Sequence, residues 1–324
     1  MISHNLVVVG GCGFVGFHLS KYLAEEGLQV TILDDFSNSE LDDDFHNLIE
    51  MQNVTFHKID ASVPAVEKYI DGDSIVLNLA AINGTASFYT RPFEVLKHSI
   101  LPSINLPQIC SEKNAAAYYY FGSSESYAGG VNLGFVNVPT PERVPLVIQD
   151  PSEPRWSYAL AKIAGEVAAF SAQKQFGLRV GIFRLHNIYG PRMGFQHVVP
   201  DLIRNFSKGN FQVKNATHTR SFMFVEDAVK SIYSLLKSDF LEECKPEIIN
   251  IGSDLEISIE ELANIIQFEL GINHQIEKVS DHEGSVSRRR PNTSLLRRYY
   301  SEDATSLSEG VKRTILYYQK SGLI

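Results

Sequence analysis

Short apolar runs alternate with amphipathic stretches through the first half of the chain. Brief aliphatic runs bounded by polar residues or glycine predict buried strands, and longer stretches with helical spacing predict the helices between them. The predicted strands are 5–9, 29–33, 53–59, 74–79, 116–121 and 178–185, and the predicted helices are 14–26, 92–113 and 158–176. This alternation predicts an α/β fold with a doubly wound parallel sheet.

The second half of the chain is less regular and is predicted to add a smaller lobe. Helices are predicted over 195–208, 226–237, 258–270 and 308–320, strands over 220–225 and 247–251, and a basic loop over 285–300. Ser258 and Glu261 have the spacing of a capping box. Pro102 and Pro107 are expected to kink or break the 92–113 helix because each lacks the backbone N–H.

Composition restricts the class of protein. The 324 residues are 44% hydrophobic and 21% charged, as in ordinary globular proteins. A net charge of −9 argues against a general nucleic-acid partner, because neutralising phosphates requires Lys and Arg. No apolar run reaches the ~18 residues of a membrane span, so no membrane partner is expected. Three scattered cysteines suggest a reduced, cytoplasmic compartment and no metal site.

A glycine pattern lies between the first predicted strand and helix. Gly10, Gly13 and Gly16 form GxxGxxG, in which the glycines allow a tight turn, close backbone approach to a pyrophosphate, and helix–strand packing. Phe14 and Val15, which open the helix, are assigned to the same site. The strand–loop–helix context indicates a Rossmann dinucleotide-binding site.

Asp34 ends the second predicted strand, 18 residues after Gly16. A carboxylate there accepts hydrogen bonds from adenosine ribose hydroxyls and repels a 2′-phosphate, which favours NAD over NADP. No Arg or Lys lies between Asp34 and Lys58 to bind such a phosphate. The alternative is a solvated turn acid. Asp35 is assigned to the same site.

Three further residues are candidates for the cofactor side. Asp60, at the end of the third predicted strand, is a candidate adenine-side contact. Ala80 and Ala81 end the fourth strand with small side chains, as a wall against a cofactor requires; a tight core would explain them equally well.

Tyr158 and Lys162 are the main candidates for the chemistry. Their i, i+4 spacing places both on one face of a helix. A tyrosine pKa near 10 is too high for a general base at neutral pH, and a nearby ammonium group is expected to lower it. The pair follows a strand that ends in Ser123-Ser124-Glu125. Together they suggest hydride chemistry on a hydroxyl group.

At this point the chain resembles the extended short-chain dehydrogenase/reductases, in the branch of NAD-dependent nucleotide-sugar epimerases, dehydratases and decarboxylases. The resemblance runs nearly end to end. Beyond the motifs already described, it rests on Asp34-Asp35-Phe36-Ser37-Asn38, Asn78-Leu79-Ala80-Ala81, Arg184 to Pro191, Thr219-Arg220-Ser221-Phe222 and Arg290-Pro291-Asn292-Thr293-Ser294.

The resemblance implies catalytic roles by position. Tyr158 matches the general base, Lys162 its partner, and Ser123 the residue that hydrogen-bonds the substrate C4 oxygen. Glu125 resembles the acid that dehydratases and decarboxylases carry at this position. A glutamate there could remove a proton from the carbon next to a C4 ketone. The alternative for Glu125 is a hydrogen bond to a loop. Ser124 replaces the aspartate of dTDP-glucose dehydratases, which disfavours that activity.

The resemblance also implies a nucleotide-diphosphate sugar as substrate. Asn187 matches a phosphate contact, and Arg220 matches a diphosphate contact. A further anion contact is expected among the three arginines at 288–290, of which Arg290 is nearest to the family pattern. A solvated loop is the alternative for these arginines. Ser124 is assigned to the substrate site, and 82–89 is a candidate specificity loop.

These observations give one leading interpretation. An NAD-binding domain is predicted over 1–185, with segments around 220–252 returning to it, and an interleaved substrate-binding lobe over 186–324. The predicted enzyme oxidises a sugar at C4 and then epimerises, dehydrates or decarboxylates it. A 4-dehydrogenase that releases NADH, an oxidoreductase of small alcohols and a non-catalytic NAD-binding regulator are the alternatives. A homodimer through the 92–113 and 158–176 helices is expected.

Overall fold

The computed structural model describes residues 4–37, 39, 41–243, 247–280 and 286–324. Its strands are β1 (Asn5–Val9), β2 (Val30–Asp34), β3 (Val54–Lys58), β4 (Ser74–Asn78), β5 (Ala117–Ser123), β6 (Val180–Leu185), β7 (Ile188–Tyr189), β8 (Gln212–Lys214), β9 (Thr219–Ser221), β10 (Met223–Phe224), β11 (Ile248–Ile251), β12 (Glu256–Ser258), β13 (Glu277–Val279) and β14 (Arg288–Arg289). Its helices are α1 (Phe14–Glu25), α2 (Asp43–Ile49), α3 (Thr85–Thr90), α4 (Pro92–Glu112), α5 (Ala128–Asn132), α6 (Trp156–Phe176), α7 (Val198–Ser207), α8 (Val225–Leu236), α9 (Phe240–Glu243), α10 (Ile259–Leu270) and α11 (Leu307–Lys320).

Seven parallel strands form the main sheet in the order β3-β2-β1-β4-β5-β6-β11. The chain builds outward from β1 to β3, then returns to the other side of β1 with β4. Ligands of such sheets bind at this reversal, beyond the carboxyl ends of the strands. The predicted doubly wound Rossmann fold is confirmed.

Both faces of the sheet are covered, so its strands are apolar on both sides. In β1, Leu6 and Val8 join the core cluster that includes residues of α1 and α8, whereas Val7 and Val9 join the cluster that includes residues of α4 and α6. This arrangement explains why the strands are nearly continuous apolar runs.

The two prolines of α4 do not break the helix, so of the two expected effects, a kink or a break, the break is wrong. The helix continues from Pro92 to Glu112 with Pro102 and Pro107 inside it. Both prolines are buried, as are the neighbouring Leu106 and Cys110. Packing of this face against α6 and the sheet therefore outweighs the hydrogen bonds that the prolines cannot donate.

Three segments differ from prediction. The predicted strand over 220–225 is divided at Phe222 into β9 and β10. The candidate specificity loop over 82–89 contains most of α3, and the predicted basic loop over 285–300 contains β14; Ser285 itself lies outside the described residues. The predicted capping box is confirmed, since Ser258 Oγ accepts a hydrogen bond from Glu261 N–H and Glu261 Oε2 accepts one from Ser258 N–H.

A separate core forms around α7, α10 and α11, and includes Leu202, Phe206, Leu262 and Ile315. In the chain, α8 and β11 lie between α7 and α10, but they belong to the first half of the fold: α8 packs on α1, and β11 joins the main sheet beside β6. The division into domains at residue 185 stays a prediction. Within the described ranges, no helix is long and apolar enough to cross a membrane.

Candidate active site

Close packing of α6 on β5 brings the predicted catalytic residues together. A Cβ on Gly165 would lie 2.2 Å from the ring of Tyr120, so glycine allows the helix to approach the strand. Lys162 Nζ donates a 2.8 Å hydrogen bond to the carbonyl oxygen of Phe121. Ser123, two residues later on the strand, lies beside Tyr158, and its side chain lowers the pKa of the Tyr158 hydroxyl.

Tyr158 lies in an apolar pocket and is 6% exposed. The ring of Phe88 stacks on it with centroids 5.0 Å apart. Burial raises the pKa of the Tyr158 hydroxyl, the Ser123 side chain lowers it, and the charge of Glu125 raises it further. The net pKa is raised, so the expectation that a neighbouring ammonium lowers it is wrong for the protein without bound nucleotide.

Burial of Tyr158 itself is the main cause of its raised pKa, and the neighbouring Lys162 is buried as well. Burial lowers the pKa of Lys162 from 10.5 to about 7, and the charge of Glu166 opposes the shift only in part. The ammonium lies 5.7 Å from the centroid of the Tyr158 ring. A lysine that is only partly charged at neutral pH gives the phenolate weak electrostatic support.

Glu125 lies beside this group and is held by arginines. Its Oε1 accepts a hydrogen bond from Arg289 Nη1 at 2.5 Å, and Arg155 Nη2 lies 3.7 Å from Oε2. Burial tends to raise the pKa of Glu125, but Arg289, Arg155 and Arg220 lower it overall. Sequence reasoning missed the contact of Arg155, which lies directly before the first residue of α6.

Arg220 is placed next to Arg289 by the pairing of β9 with β14. Its guanidinium donates to the carbonyl oxygens of Thr219 and Val286, each at 2.7 Å. Burial lowers the pKa of Arg220 to about 9, as does the nearby Arg289, while Glu125 raises it. Three guanidinium groups thus surround one carboxylate, which leaves net positive charge available for an anion.

The predicted anion contact Arg290 does not pair with Glu125, whereas Arg289 does. The Nε of Arg290 is buried and has no hydrogen-bond partner within the described residues. Arg290 lines a cavity of about 10 Å³ together with Arg289, Ser124 and His186.

Asn187 is positioned by an unusual backbone conformation. Its φ is +43°, in the left-handed region that Asn tolerates better than most residues. The side-chain Nδ2 donates a 3.1 Å hydrogen bond to the carbonyl oxygen of Ser221, next to Arg220. The predicted phosphate contacts Asn187 and Arg220 therefore lie on adjacent elements.

The glycine loop has the form that a dinucleotide requires. Gly10 has φ +80° and a Cβ there would lie 2.9 Å from Ala80 N; one on Gly16 would lie 2.1 Å from Gly10 O. Gly13 begins α1 without a side-chain cap, and Phe14 and Val15 form its first turn. The unpaired N–H groups of this turn can bind a pyrophosphate, so the residues present fit an NAD molecule.

Asp34 supports the glycine loop at the predicted ribose position. Its Oδ2 accepts a 2.9 Å hydrogen bond from Cys12 N–H, and its Oδ1 accepts from Phe36 N–H at 2.8 Å. Burial raises the pKa of Asp34, and these two backbone hydrogen bonds oppose the rise. Oδ2 retains acceptor capacity for a ribose hydroxyl.

The other predicted cofactor residues are less closely engaged with this loop. Asp35 and Asp60 each accept a hydrogen bond from a backbone N–H two residues later, in the loops after β2 and β3. Ala81 packs in one cluster with Tyr158, which links the end of β4 to the catalytic group. Asn38, a member of the sequence motif, lies outside the described residues. No cluster able to hold a metal ion is found in the described ranges.

The chain is similar to known proteins of one family along most of its length. A model of the NAD dependent epimerase/dehydratase family matches residues 6–252. A UDP-N-acetyl-alpha-D-glucosaminuronate decarboxylase of Bacillus cytotoxicus is 28% identical over 98% of the chain and 99% of its own length. GDP-mannose 3,5-epimerase 1 of Oryza sativa subsp. japonica is 28% identical over 98% and 82%.

The fold is shared with solved structures. That of a UDP-N-acetylglucosamine 4-epimerase from Methanobrevibacter ruminantium M1 superposes with a TM-score of 0.86 at 23% identity, covering 99% of this chain and 100% of that one. The family match spans about three quarters of the chain and includes the glycine loop, Ser123, Tyr158 and Lys162. The chain belongs to the NAD dependent epimerase/dehydratase family and is an NAD-dependent enzyme.

Proposed function

We propose that this enzyme oxidises the C4 hydroxyl of a nucleotide-diphosphate sugar and then epimerises, dehydrates or decarboxylates the resulting 4-keto sugar. The observation that carries the proposal is the group formed by Tyr158, Ser123 and Lys162 with Glu125 beside it. A nicotinamide supplies the hydride acceptor and donor when NAD is bound.

Tyr158 acts as the general base on the C4 hydroxyl. The Ser123 side chain lies beside the Tyr158 hydroxyl, so a substrate oxygen within reach of both can be oriented and deprotonated. Lys162 lies on the same face of α6 and is fixed by its bond to Phe121 O. A protonated Lys162 favours the phenolate form of Tyr158 by charge.

Glu125 acts on the carbon next to the C4 ketone. Its lowered pKa keeps it ionised at neutral pH, so it is available to accept a proton from that carbon. The ion pair with Arg289 positions the carboxylate and restrains its rotation. Proton removal at this carbon is common to epimerisation beside the ketone and to elimination of water.

The arginines recognise the anionic part of the substrate. Arg220 and Arg289 are paired neighbours near Glu125, and Asn187 is bonded beside Arg220. Guanidinium groups bind diphosphate oxygens well because of their planar fork of donors. The names of the two curated relatives described above specify UDP- and GDP-sugars, which supports the same substrate class here.

We assign the active form as a cytoplasmic homodimer. Apolar side chains on α4 and α6 are exposed, among them Phe93 at 75%, Val167 at 60% and Ile104 at 47%. A second copy packed on these helices would bury them. Cys12 and Cys110 are buried free thiols, in keeping with a reducing compartment.

Product analysis tests this function. The purified enzyme is incubated with NAD⁺ and a panel of UDP-, GDP-, CDP- and dTDP-sugars that includes uronic acids, and product masses are measured. Loss of water or of carbon dioxide identifies a dehydratase or a decarboxylase, and an unchanged mass with a new chromatographic peak identifies an epimerase. Loss of two hydrogens with net NADH would replace the proposal by a 4-dehydrogenase. No turnover of any member by a protein that binds NAD⁺ would contradict it.

A further inference from the structure

A segment of the C-terminal half, Pro191 to Met193, is held by two hydrogen bonds, one from α1 and one from α11. The carbonyl oxygen of Pro191 accepts a 2.9 Å hydrogen bond from His18 Nε2 on α1. The carbonyl oxygen of Met193 accepts one of 2.6 Å from the Tyr318 hydroxyl on α11. Between them, Arg192 has φ +65°, in the left-handed region that few non-glycine residues adopt. These contacts determine where the Arg192 side chain points.

The guanidinium of Arg192 is buried between two elements of the cofactor half. It lies 3.9 Å from the centroid of the Phe17 ring on α1. Its Nε and Nη2 donate to Asp42 Oδ2 at 2.8 and 2.7 Å, and its side chain is 7% exposed. Asp42 Oδ1 accepts a bond from Phe45 N–H and so caps α2. Arg192 therefore joins the loop after β2 to the first turns of α1.

One nitrogen of this guanidinium is without a partner among the described residues. Nη1 of Arg192 is buried and makes no hydrogen bond to any residue that the structure describes. A buried charged donor without an acceptor is costly, and native structures seldom keep one without a ligand or solvent role. Because Phe17 lies in the first turn of α1, the guanidinium lies close to the end of the glycine loop.

From this geometry we infer that Arg192 is a cofactor-binding residue, whose Nη1 donates to a phosphate or ribose oxygen of the adenosine half of NAD. The Arg192–Asp42 ion pair then connects the C-terminal half to the bound nucleotide and slows its release. This role of Arg192 rests on the NAD dependence of the family and does not depend on the identity of the sugar. Arg192 could not be recognised from the sequence around Asp34, because it lies 150 residues after Asp42, its ion-pair partner.

ADP-ribose is a suitable probe, because it has the adenosine half of NAD and no nicotinamide for hydride transfer. Its dissociation constant is measured by calorimetry on nucleotide-free protein, for the wild type and Arg192→Ala. Loss of one charged hydrogen bond is expected to weaken binding about 10- to 100-fold. Arg204→Ala is the matched control, since Arg204 also stacks on a phenylalanine, Phe195, at 4.8 Å and pairs with an acid, Asp201, away from the glycine loop.

Each result decides between ligand binding and a purely structural contact. Weaker ADP-ribose binding in Arg192→Ala, with the control unchanged, supports the inference. Unchanged affinity with a lower melting temperature in the absence of nucleotide would overturn it and leave Arg192 as a structural contact only. If Arg192→Ala does not fold, Arg192→Lys decides by the same titration, because it keeps the charge and loses the planar fork. Wild-type protein that binds neither ADP-ribose nor NAD⁺ would contradict both this inference and the proposed function.

Discussion

Replacing Lys162 by Met is expected to stabilise the nucleotide-free protein near neutral pH while abolishing its activity. Lys162 is 3% exposed, and burial lowers its pKa from 10.5 to about 7. In the unfolded chain the same side chain keeps its proton up to a pH near 10.5. The folded state therefore binds fewer protons between pH 7 and 10.5, so stability rises with pH across this window and is lowest below it.

The magnitude follows from the pKa difference. At about 1.4 kcal/mol per pH unit, lowering the pKa from 10.5 to about 7 costs roughly 4 kcal/mol of folding free energy at pH 7. Met removes this cost but leaves the carbonyl oxygen of Phe121 without its donor, which costs about 1–3 kcal/mol. The expected net gain at pH 7 is about 1–3 kcal/mol.

The assay is chemical denaturation of the nucleotide-free wild type and Lys162→Met at several pH values. Between pH 7 and 9 the wild type should gain about 2 kcal/mol relative to the variant. Lys174→Met is the control, because Lys174 is exposed on the last turn of the same helix and should leave the pH dependence unchanged. Parallel stability curves for the wild type and Lys162→Met would refute the reasoning, since they would mean that Lys162 stays charged in the folded protein.

Two further changes test the remaining parts of the site and the assembly. Glu125→Gln should still permit C4 oxidation but lower overall turnover about 10²- to 10⁴-fold, as measured by product formation; undiminished turnover would remove Glu125 from the chemistry. Because neighbouring arginines lower the pKa of Glu125, the acid limb that it contributes to the activity profile should lie below pH 4.5. Val167→Glu places a charge on an exposed apolar position of α6 and should yield a monomer by sedimentation; an unchanged dimer would place the interface elsewhere.

Much of the fold could be predicted from sequence because its signals are local. Strands buried on both faces are continuous apolar runs, and Gly16 is required by its close approach to Gly10, six residues earlier. The Tyr158–Lys162 spacing likewise places both groups on one helix face before any packing is known.

The features that sequence reasoning missed depend on distant contacts. Arg289, and not Arg290, faces Glu125 because β14 pairs with β9, and that register is set by residues far apart in the chain. Arg192 reaches the cofactor loop only through the fold of the C-terminal half. The lowered pKa of Lys162 follows from its burial between α6 and β5. The spacing of residues along a helix does not indicate how deeply a side chain is buried.

The most direct test of the central claim is a single-turnover measurement of reduced nicotinamide by its near-ultraviolet absorbance. NAD⁺-loaded enzyme is mixed with the nucleotide sugar that the product panel identifies, in parallel for the wild type and Tyr158→Phe. We predict a transient rise and decay in the wild type and no rise in the variant, which should still bind the sugar. An equal rise in Tyr158→Phe, or product formation by the wild type without any rise, would contradict C4 oxidation by Tyr158.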